Sequence, residues 1–112
     1  MQEASYVPTK SSLSHARVRL IELMQRINYG RIEGLSVRRG EPVLDPPPRI
    51  VREIKFGGEN GPRPETAKED FFLKAQVREL FAQMEAMGSG VIRTIEIKHG
   101  LPFRMTVEED AA

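Results

Sequence analysis

The sequence predicts an α+β fold in which two helices pack on one face of an antiparallel sheet. An amphipathic helical pattern, followed by an alternating pattern with a glycine at its turn, occurs in the first half of the chain and again sixty residues later. Each occurrence predicts a helix followed by a β-hairpin, an αββ unit. We therefore predict a tandem repeat whose two units are related by an approximate, pseudo-two-fold axis.

The two units align without a gap. The apolar stripe of the helix and the main positions of the hairpin keep their chemical class at the same offset, so one offset accounts for two different periodicities. Such agreement indicates a repeated unit rather than coincidence. The aligned pairs include Leu20 and Leu80, Ile21 and Phe81, Met24 and Met84, Ile27 and Met87, Gly30 and Gly90, Ile32 and Ile92, Leu35 and Ile95, Val37 and Ile97, Arg38 and Lys98, Gly40 and Gly100, Pro42 and Pro102, and Val43 and Phe103.

The chain of 112 residues suffices for one hydrophobic core, so residues 1–112 are predicted to form a single domain. The first unit covers residues 10–45, a connector rich in proline and glycine covers 46–65, and the second unit covers 66–107. The sequence has no cysteine and no apolar run of roughly 18 residues, the length that spans a membrane. These features favour a cytoplasmic protein without a membrane partner.

The first helix is predicted over residues 13–28. Ser11, Ser12 and Ser14 precede its apolar stripe and offer hydroxyl groups that can cap the first free amides. Gly30 follows the stripe, where a residue with positive φ commonly ends a helix.

The first hairpin is predicted from the residues that follow. Leu35 and Val37 alternate with polar residues, as in a half-buried strand. Gly40 permits the positive φ that a tight turn demands. Arg38 and Glu41 flank this turn and are predicted to form a cross-strand ion pair.

The connector begins with three prolines at 46–48, which fix φ and remove backbone donors, so they cannot lie inside a sheet. Residues 49–56 then alternate apolar and polar side chains and predict an edge strand, and the pattern leaves open whether this strand joins the same sheet. Residues 57–64 are rich in glycine, but they lack the spacing of a phosphate-binding loop and are predicted to be a connection.

In the second unit, Thr66 and Glu69 form a capping-box pattern before the helix. The apolar stripe of that helix contains Leu73, Val77, Leu80, Phe81, Met84 and Met87. The second hairpin is predicted to pair Val91, Ile95 and Ile97, across the turn at His99-Gly100, with Phe103, Met105 and Val107. The side chains expected to face the helices are Leu35, Val37, Val43, Ile95, Ile97, Phe103 and Met105.

The sequence favours a protein without catalytic activity. His15 lies at a predicted helix start and His99 lies in a predicted turn. The chain offers neither thiolates nor a pair of histidines at helical spacing for a metal. Glu33 and Glu96 have no identifiable acid-base partner. We therefore predict no catalytic residue, no cofactor and no metal.

The first of two binding functions that stay open is a small non-catalytic interaction module, acting through self-association or an unidentified protein partner. On the second helix, Phe71, Ala75, Ala82 and Ala86 lie opposite the apolar stripe. Small side chains let a second helix approach closely, so these residues are the candidate homodimer contact. Alanines in such positions are otherwise explained by their helix propensity alone.

The alternative is a nucleic-acid-binding protein that uses the basic first hairpin and the strand after it. The interleaved Glu33, Glu41 and Glu53, and the absence of aromatic residues on the expected open face, count against this function. The candidate phosphate contacts are Arg31, Arg38, Arg39, Arg49, Arg52 and Lys55.

The segment Ile27-Asn28-Tyr29-Gly30-Arg31-Ile32, followed by Val37 and Gly40, closes an amphipathic helix and opens a glycine-turned hairpin. In these features residues 18–44 resemble the YezD-like family, which consists of short bacterial proteins of unknown function. A diverged second copy would cover residues 78–104, with Ser89 in place of the aromatic residue. The resemblance implies a bacterial source and a small non-enzymatic domain, and it supplies no site residues.

Overall fold

The computed structural model describes residues 13–57 and 74–109. Within these ranges, two helices and five antiparallel strands form an α+β fold, which confirms the predicted fold class. Neither described helix is long and apolar enough to cross a membrane. The elements in chain order are α1 (His15–Ile27), β1 (Gly30–Arg38), β2 (Glu41–Val43), β3 (Arg49–Arg52), α2 (Ala75–Met87), β4 (Gly90–Lys98) and β5 (Leu101–Val107).

The strands lie in the order β2-β1-β4-β5, and β3 also pairs with β1. β2 pairs with the end of β1, where Arg38 faces Glu41, whereas β3 pairs with its start, where Gly30 faces Arg52. Because β4 occupies the other side of β1, β2 and β3 follow one another along one sheet edge. The predicted edge strand 49–56 is thus present in the same sheet, but only over Arg49–Arg52.

β1 and β4 form the centre of the sheet. Ile32 pairs with Ile95 and Leu35 pairs with Ile92, and all four side chains are fully buried. In each strand the first two of three buried positions are three residues apart instead of two, so strict alternation is interrupted midway. In β1 this interruption includes Gly34, whose φ of +72° is a conformation that glycine adopts at little cost.

The hydrophobic core lies between this sheet and the two helices. Each helix contributes one stripe at helical spacing, as the sequence predicts. The strands contribute the residues that point to the same side, and together they form one continuous cluster. The helical members are Leu20, Ile21, Met24 and Ile27 of α1 and Val77, Leu80, Phe81 and Met84 of α2.

The helix ends follow local chemistry. Ser14 caps α1, since its Oγ accepts a hydrogen bond of 3.2 Å from the Arg17 amide. α1 ends at Ile27, one residue before the predicted end at residue 28, and its C-cap with positive φ is Asn28, with φ of 64°, instead of Gly30. Gly30 instead opens β1, where a Cβ atom would lie 2.1 Å from the carbonyl oxygen of Val51. The capping box predicted at Thr66 and Glu69 lies outside the described residues.

The prediction that Phe103 faces the helices is wrong. Ile97 pairs with Pro102 but Glu96 pairs with Arg104, so Phe103 is an extra residue in β5, a β-bulge. Pro102, which pairs with buried Ile97, takes the core position, and Phe103 is 49% exposed.

Val43 departs from the prediction for a related reason. Cross-strand partners share one face of a sheet. Pro42 pairs with buried Val37 and is itself buried, whereas Val43 pairs with exposed Ser36 and is only half-buried. In both hairpins the residue that follows the buried proline is therefore excluded from the core.

Truncation of a central side chain tests this packing. Ile97→Ala is expected to lower the free energy of unfolding by about 2–5 kcal/mol, because Ile97 is 2% exposed and its removal leaves a cavity. Urea unfolding followed by circular dichroism measures the change. Val91→Ala, on the same strand at 50% exposure, is the control and should change stability by less than about 0.5 kcal/mol. An Ile97→Ala protein as stable as wild type would contradict the register.

Candidate functional site

The described part of the candidate dimer contact lies on the outer side of α2. Ala75, Ala82 and Ala86 are all exposed, whereas the four buried residues of the helix lie on its opposite side. Phe71, the fourth residue of the candidate contact, lies outside the described residues. The structure thus places three small side chains on a solvent-facing line, which also contains exposed Glu79, one turn after Ala75.

The outer side of α1 differs in chemistry from that of α2. The positions sixty residues before the three alanines are His15, Glu22 and Arg26, and all three are exposed. Two of these side chains carry charges that would lose hydration in a helix-helix contact. Close helix packing is therefore easier on α2 than on α1.

The six candidate phosphate contacts do not form one cluster. Arg38 and Arg39 lie at the turn between β1 and β2, and Arg31 lies near the start of β1, about 23 Å away at the rise of an extended strand. The remaining three, Arg49, Arg52 and Lys55, lie on or just after β3.

Arg31 and Arg49 are both engaged by Glu33 on the open face of the sheet. The Arg31 Nε donates to Glu33 Oε2 at 2.6 Å, and the Arg49 Nε lies 3.4 Å from Oε1. The hydrogen bond from Arg31 lowers the pKa of Glu33 below its ordinary value; desolvation opposes this effect, and the charges of both arginines reinforce it. This neutralisation weakens the first hairpin as a phosphate-binding surface.

Each hairpin turn is tied to the end of the helix from the other unit. The Gly40 amide donates to the Gly88 carbonyl at 2.7 Å, and the Gly100 amide donates to the Asn28 carbonyl at 3.0 Å. These bonds satisfy carbonyl groups that a helix terminus leaves without partners. They also hold each turn close to the side chains at that helix end.

The side chains beside the two turns differ. At the first turn, the Arg39 amide donates to Ser89 Oγ at 3.1 Å. At the second turn, the Tyr29 hydroxyl lies 2.7 Å from Nδ1 of His99, and the two rings meet edge to face at 5.0 Å. The contact at the second turn is thus aromatic, whereas that at the first is not.

Further cations and a third ring lie at the same end of the sheet. Lys55 Nζ is 5.8 Å from the ring centre of Tyr29. Lys98 Nζ is 4.1 Å, and the Arg104 guanidinium carbon 5.1 Å, from the ring centre of Phe103. We name the surface formed by Tyr29, Lys55, Lys98, His99, Phe103 and Arg104 the aromatic-basic end.

Sequence reasoning missed the aromatic-basic end because it assigned Phe103 to the core. The register of the second turn could have predicted that Phe103 lies outside the core. With Lys98 opposite Leu101, residue 102 pairs with buried Ile97 and shares its face, so the core position goes to Pro102.

Arg17 forms a structural junction that sequence reasoning also missed. Its side chain is 14% exposed, and it donates to the Gly40 carbonyl at 3.0 Å and to Glu85 at 3.1 Å. Its Nε lies 3.4 Å from Glu41 Oε2. Glu41 also accepts a hydrogen bond from Ser14 at 2.6 Å, so its carboxylate turns toward α1 and not into the predicted pair with Arg38. This junction connects α1, the first turn and α2.

Two surface grooves run between a helix and a sheet edge. The groove along α1, of about 340 Å³, faces the proline-containing gap between β2 and β3. The groove along α2, of about 160 Å³, faces β5 and includes Phe103 in its wall. Within residues 13–57 and 74–109, no group of three metal-ligating side chains occurs.

Comparison of the chain with protein-family models, curated proteins and solved structures found no match. Two surfaces of the chain combine exposure with a defined chemistry: the alanine line on α2 and the aromatic-basic end.

The lowered pKa of Glu33 predicts a pH-dependent contribution to stability. Because the folded-state pKa lies below the ordinary value of 4.5, the contribution is present above that value and is lost as the pH falls through the folded-state pKa. Glu33→Gln should therefore differ most from wild type in urea unfolding at neutral pH, and the difference should vanish in acid. Arg31→Gln, which removes the guanidinium and its charge, should reproduce this behaviour, and a difference that persists unchanged in acid would refute it.

Proposed function

We propose that the protein is a small non-catalytic interaction module that acts through self-association, with the outer side of α2 as the contact between two copies. The observation that supports this function is the line of Ala75, Ala82 and Ala86 opposite the buried stripe of α2. Small side chains let two helix backbones approach closely. A two-fold contact would use the same line from both subunits.

The difference between the two helices favours α2 over α1 as the contact. Charged Glu22 and Arg26 occupy on α1 the positions that correspond to Ala82 and Ala86 on α2. Alanine loses little side-chain freedom when it becomes buried, whereas glutamate and arginine lose a great deal. A protein partner with a complementary helix could occupy the same surface in place of a second copy.

We also propose that the chain is a duplicated αββ unit with an internal pseudo-two-fold axis. The lengths of the elements support this, since both helices have 13 residues and both central strands have 9. The register supports it as well. Shifting each member of the Ile32–Ile95 pair by sixty residues gives the Leu35–Ile92 pair, and both pairs occur.

The resemblance of residues 18–44, and of a diverged copy at 78–104, to the YezD-like family stays a hypothesis, as do a bacterial source and a cytoplasmic location. The function proposed here is argued from α2 alone and does not depend on that resemblance. Nucleic-acid binding through the first hairpin is not proposed, because Glu33 engages Arg31 and Arg49.

A glutamate in the middle of the alanine line tests the dimer contact. Ala82→Glu should convert a dimer at tens of micromolar into a monomer in sedimentation equilibrium, because a two-fold contact would bury two like charges. We expect the dimer dissociation constant to rise at least about 10-fold, which corresponds to ~1.4 kcal/mol.

Gln76→Glu is the matched control, since it adds the same charge to an exposed position of α2 about 120° away from Ala82 around the helix. It should leave the dissociation constant close to that of wild type. A monomeric wild type at these concentrations, or a dimer that tolerates Ala82→Glu, would refute the proposed contact.

A further inference from the structure

Phe103 is an aromatic ring that the fold holds outside the core. The β-bulge in β5 places it at the sheet edge, 49% exposed, although the core lies next to it. Lys98 and Arg104 approach its ring to 4.1 Å and 5.1 Å. Cation-π contacts at exposed sites are weak, and a lysine side chain is flexible, so both cations can turn to an anionic ligand while the ring stays available.

Tyr29 and His99 form a second aromatic site beside the first. The hydrogen bond between the Tyr29 hydroxyl and His99, at 2.7 Å, fixes the two rings relative to each other. Lys55 lies over the face of Tyr29. Each aromatic site is therefore accompanied by at least one cation.

The pairing of the strands joins the two sites into one surface. Gly30 pairs with Arg52 on one side and with Ile97 on the other, and Ile97 pairs with Pro102. The residues next to these positions therefore lie at one end of the sheet. Three inter-strand spacings separate β3 from β5, or about 14 Å, which suits an extended ligand better than a small molecule.

The balance of charge at this end favours an anionic ligand. Arg52, Lys55, Lys98 and Arg104 are accompanied by three carboxylates among the described neighbours, Glu53, Glu79 and Glu96. Glu96 lies 3.8 Å from Arg104, and Glu79 lines the α2 groove together with Phe103. Phosphates explain the cations, and unstacked bases explain the exposed rings. An acidic peptide would contact the cations but would leave the exposed rings without a role. A duplex is also disfavoured, because its bases stay stacked in its interior and cannot stack on the rings.

From this arrangement we propose that the aromatic-basic end binds single-stranded nucleic acid. Phe103 and the Tyr29–His99 pair stack on bases, and Lys55, Lys98 and Arg104 contact phosphates. This activity is separate from the α2 contact and uses a different surface.

Fluorescence anisotropy of a labelled oligothymidylate of about 12 nucleotides, within the usual site sizes of ~4–16 nucleotides, tests the proposal on the full chain. Binding should weaken steeply between about 50 mM and about 200 mM salt. Phe103→Ala should weaken it about 5- to 150-fold through the loss of one stacked base. Lys98→Ala should weaken binding and lower the slope of log affinity against log salt by about one.

Two control variants match these changes in chemistry but lie at the other end of the sheet. Val91→Ala removes a side chain of similar exposure, 50%, near the start of β4. Arg38→Ala removes the cation that precedes the first turn, at the position corresponding to Lys98. Both should bind the oligonucleotide with an affinity close to that of wild type.

Phe103→Leu keeps an apolar side chain in the bulge and should still lose the stacking. Urea unfolding verifies that each variant is folded.

The proposal is overturned if the oligonucleotide does not bind at low salt or if both Phe103 variants bind like wild type. It is also overturned if a duplex of the same length binds as tightly, since stacking requires free bases. Displacement of the oligonucleotide by an oligoglutamate of equal charge, as effectively as by unlabelled oligonucleotide, would assign this end to acidic proteins instead. Ala82→Glu should retain binding, so failure of the α2 contact leaves this result unaffected.

Discussion

The antiparallel pairing of β1 with β4 is the constraint on which the rest of the structure depends. It is the only direct strand pairing between the two halves within the described residues, and it places Ile32 against Ile95 and Leu35 against Ile92. These four side chains are completely buried, so the two paired strands also contribute the central part of the sheet to the core. Both halves contribute side chains to one continuous core. The helices therefore complete a core that the central strands define.

This pairing determines what each helix end meets. With β1 and β4 antiparallel, the turn of one hairpin lies beside the helix end of the other half, and reciprocal hydrogen bonds from Gly40 to Gly88 and from Gly100 to Asn28 tie them together. The two ends of the sheet are consequently similar in backbone geometry. Their side chains are not similar, since one end presents Arg39 and Ser89 and the other presents His99 and Tyr29. The same backbone arrangement supports two chemically different surfaces.

Sequence periodicity predicts the helices, both hairpins and most of the core, because burial of one face imposes spacing that is visible locally. Leu35, Val37, Ile95 and Ile97 are buried as predicted. Phe103 is not, because the register across the second turn pairs Pro102 with buried Ile97 and gives Pro102 the core position, which the periodicity of β5 alone does not reveal. Likewise the predicted Arg38–Glu41 pair gives way to Arg17, which approaches from a helix that local spacing cannot position. The alanine line on α2 was predictable from helical spacing, whereas the aromatic-basic end required the register.

A comparison of positions sixty residues apart distinguishes the residues that the fold requires from those that differ between the two surfaces. Most core residues and the turn glycines keep their character at an offset of sixty residues, because both halves face the same packing and backbone demands; core Val77, which aligns with Arg17, and core Leu44, which aligns with Arg104, are exceptions. Other differences lie on the surface or at half-buried positions: alanine on α2 where α1 has charged residues, Tyr29 where the second half has Ser89, and Phe103 where the first has Val43. An exposed ring or a row of small side chains contributes little to stability, since each leaves apolar area in contact with water. Stability places few constraints on such positions. They are therefore the candidates for the binding functions of this chain.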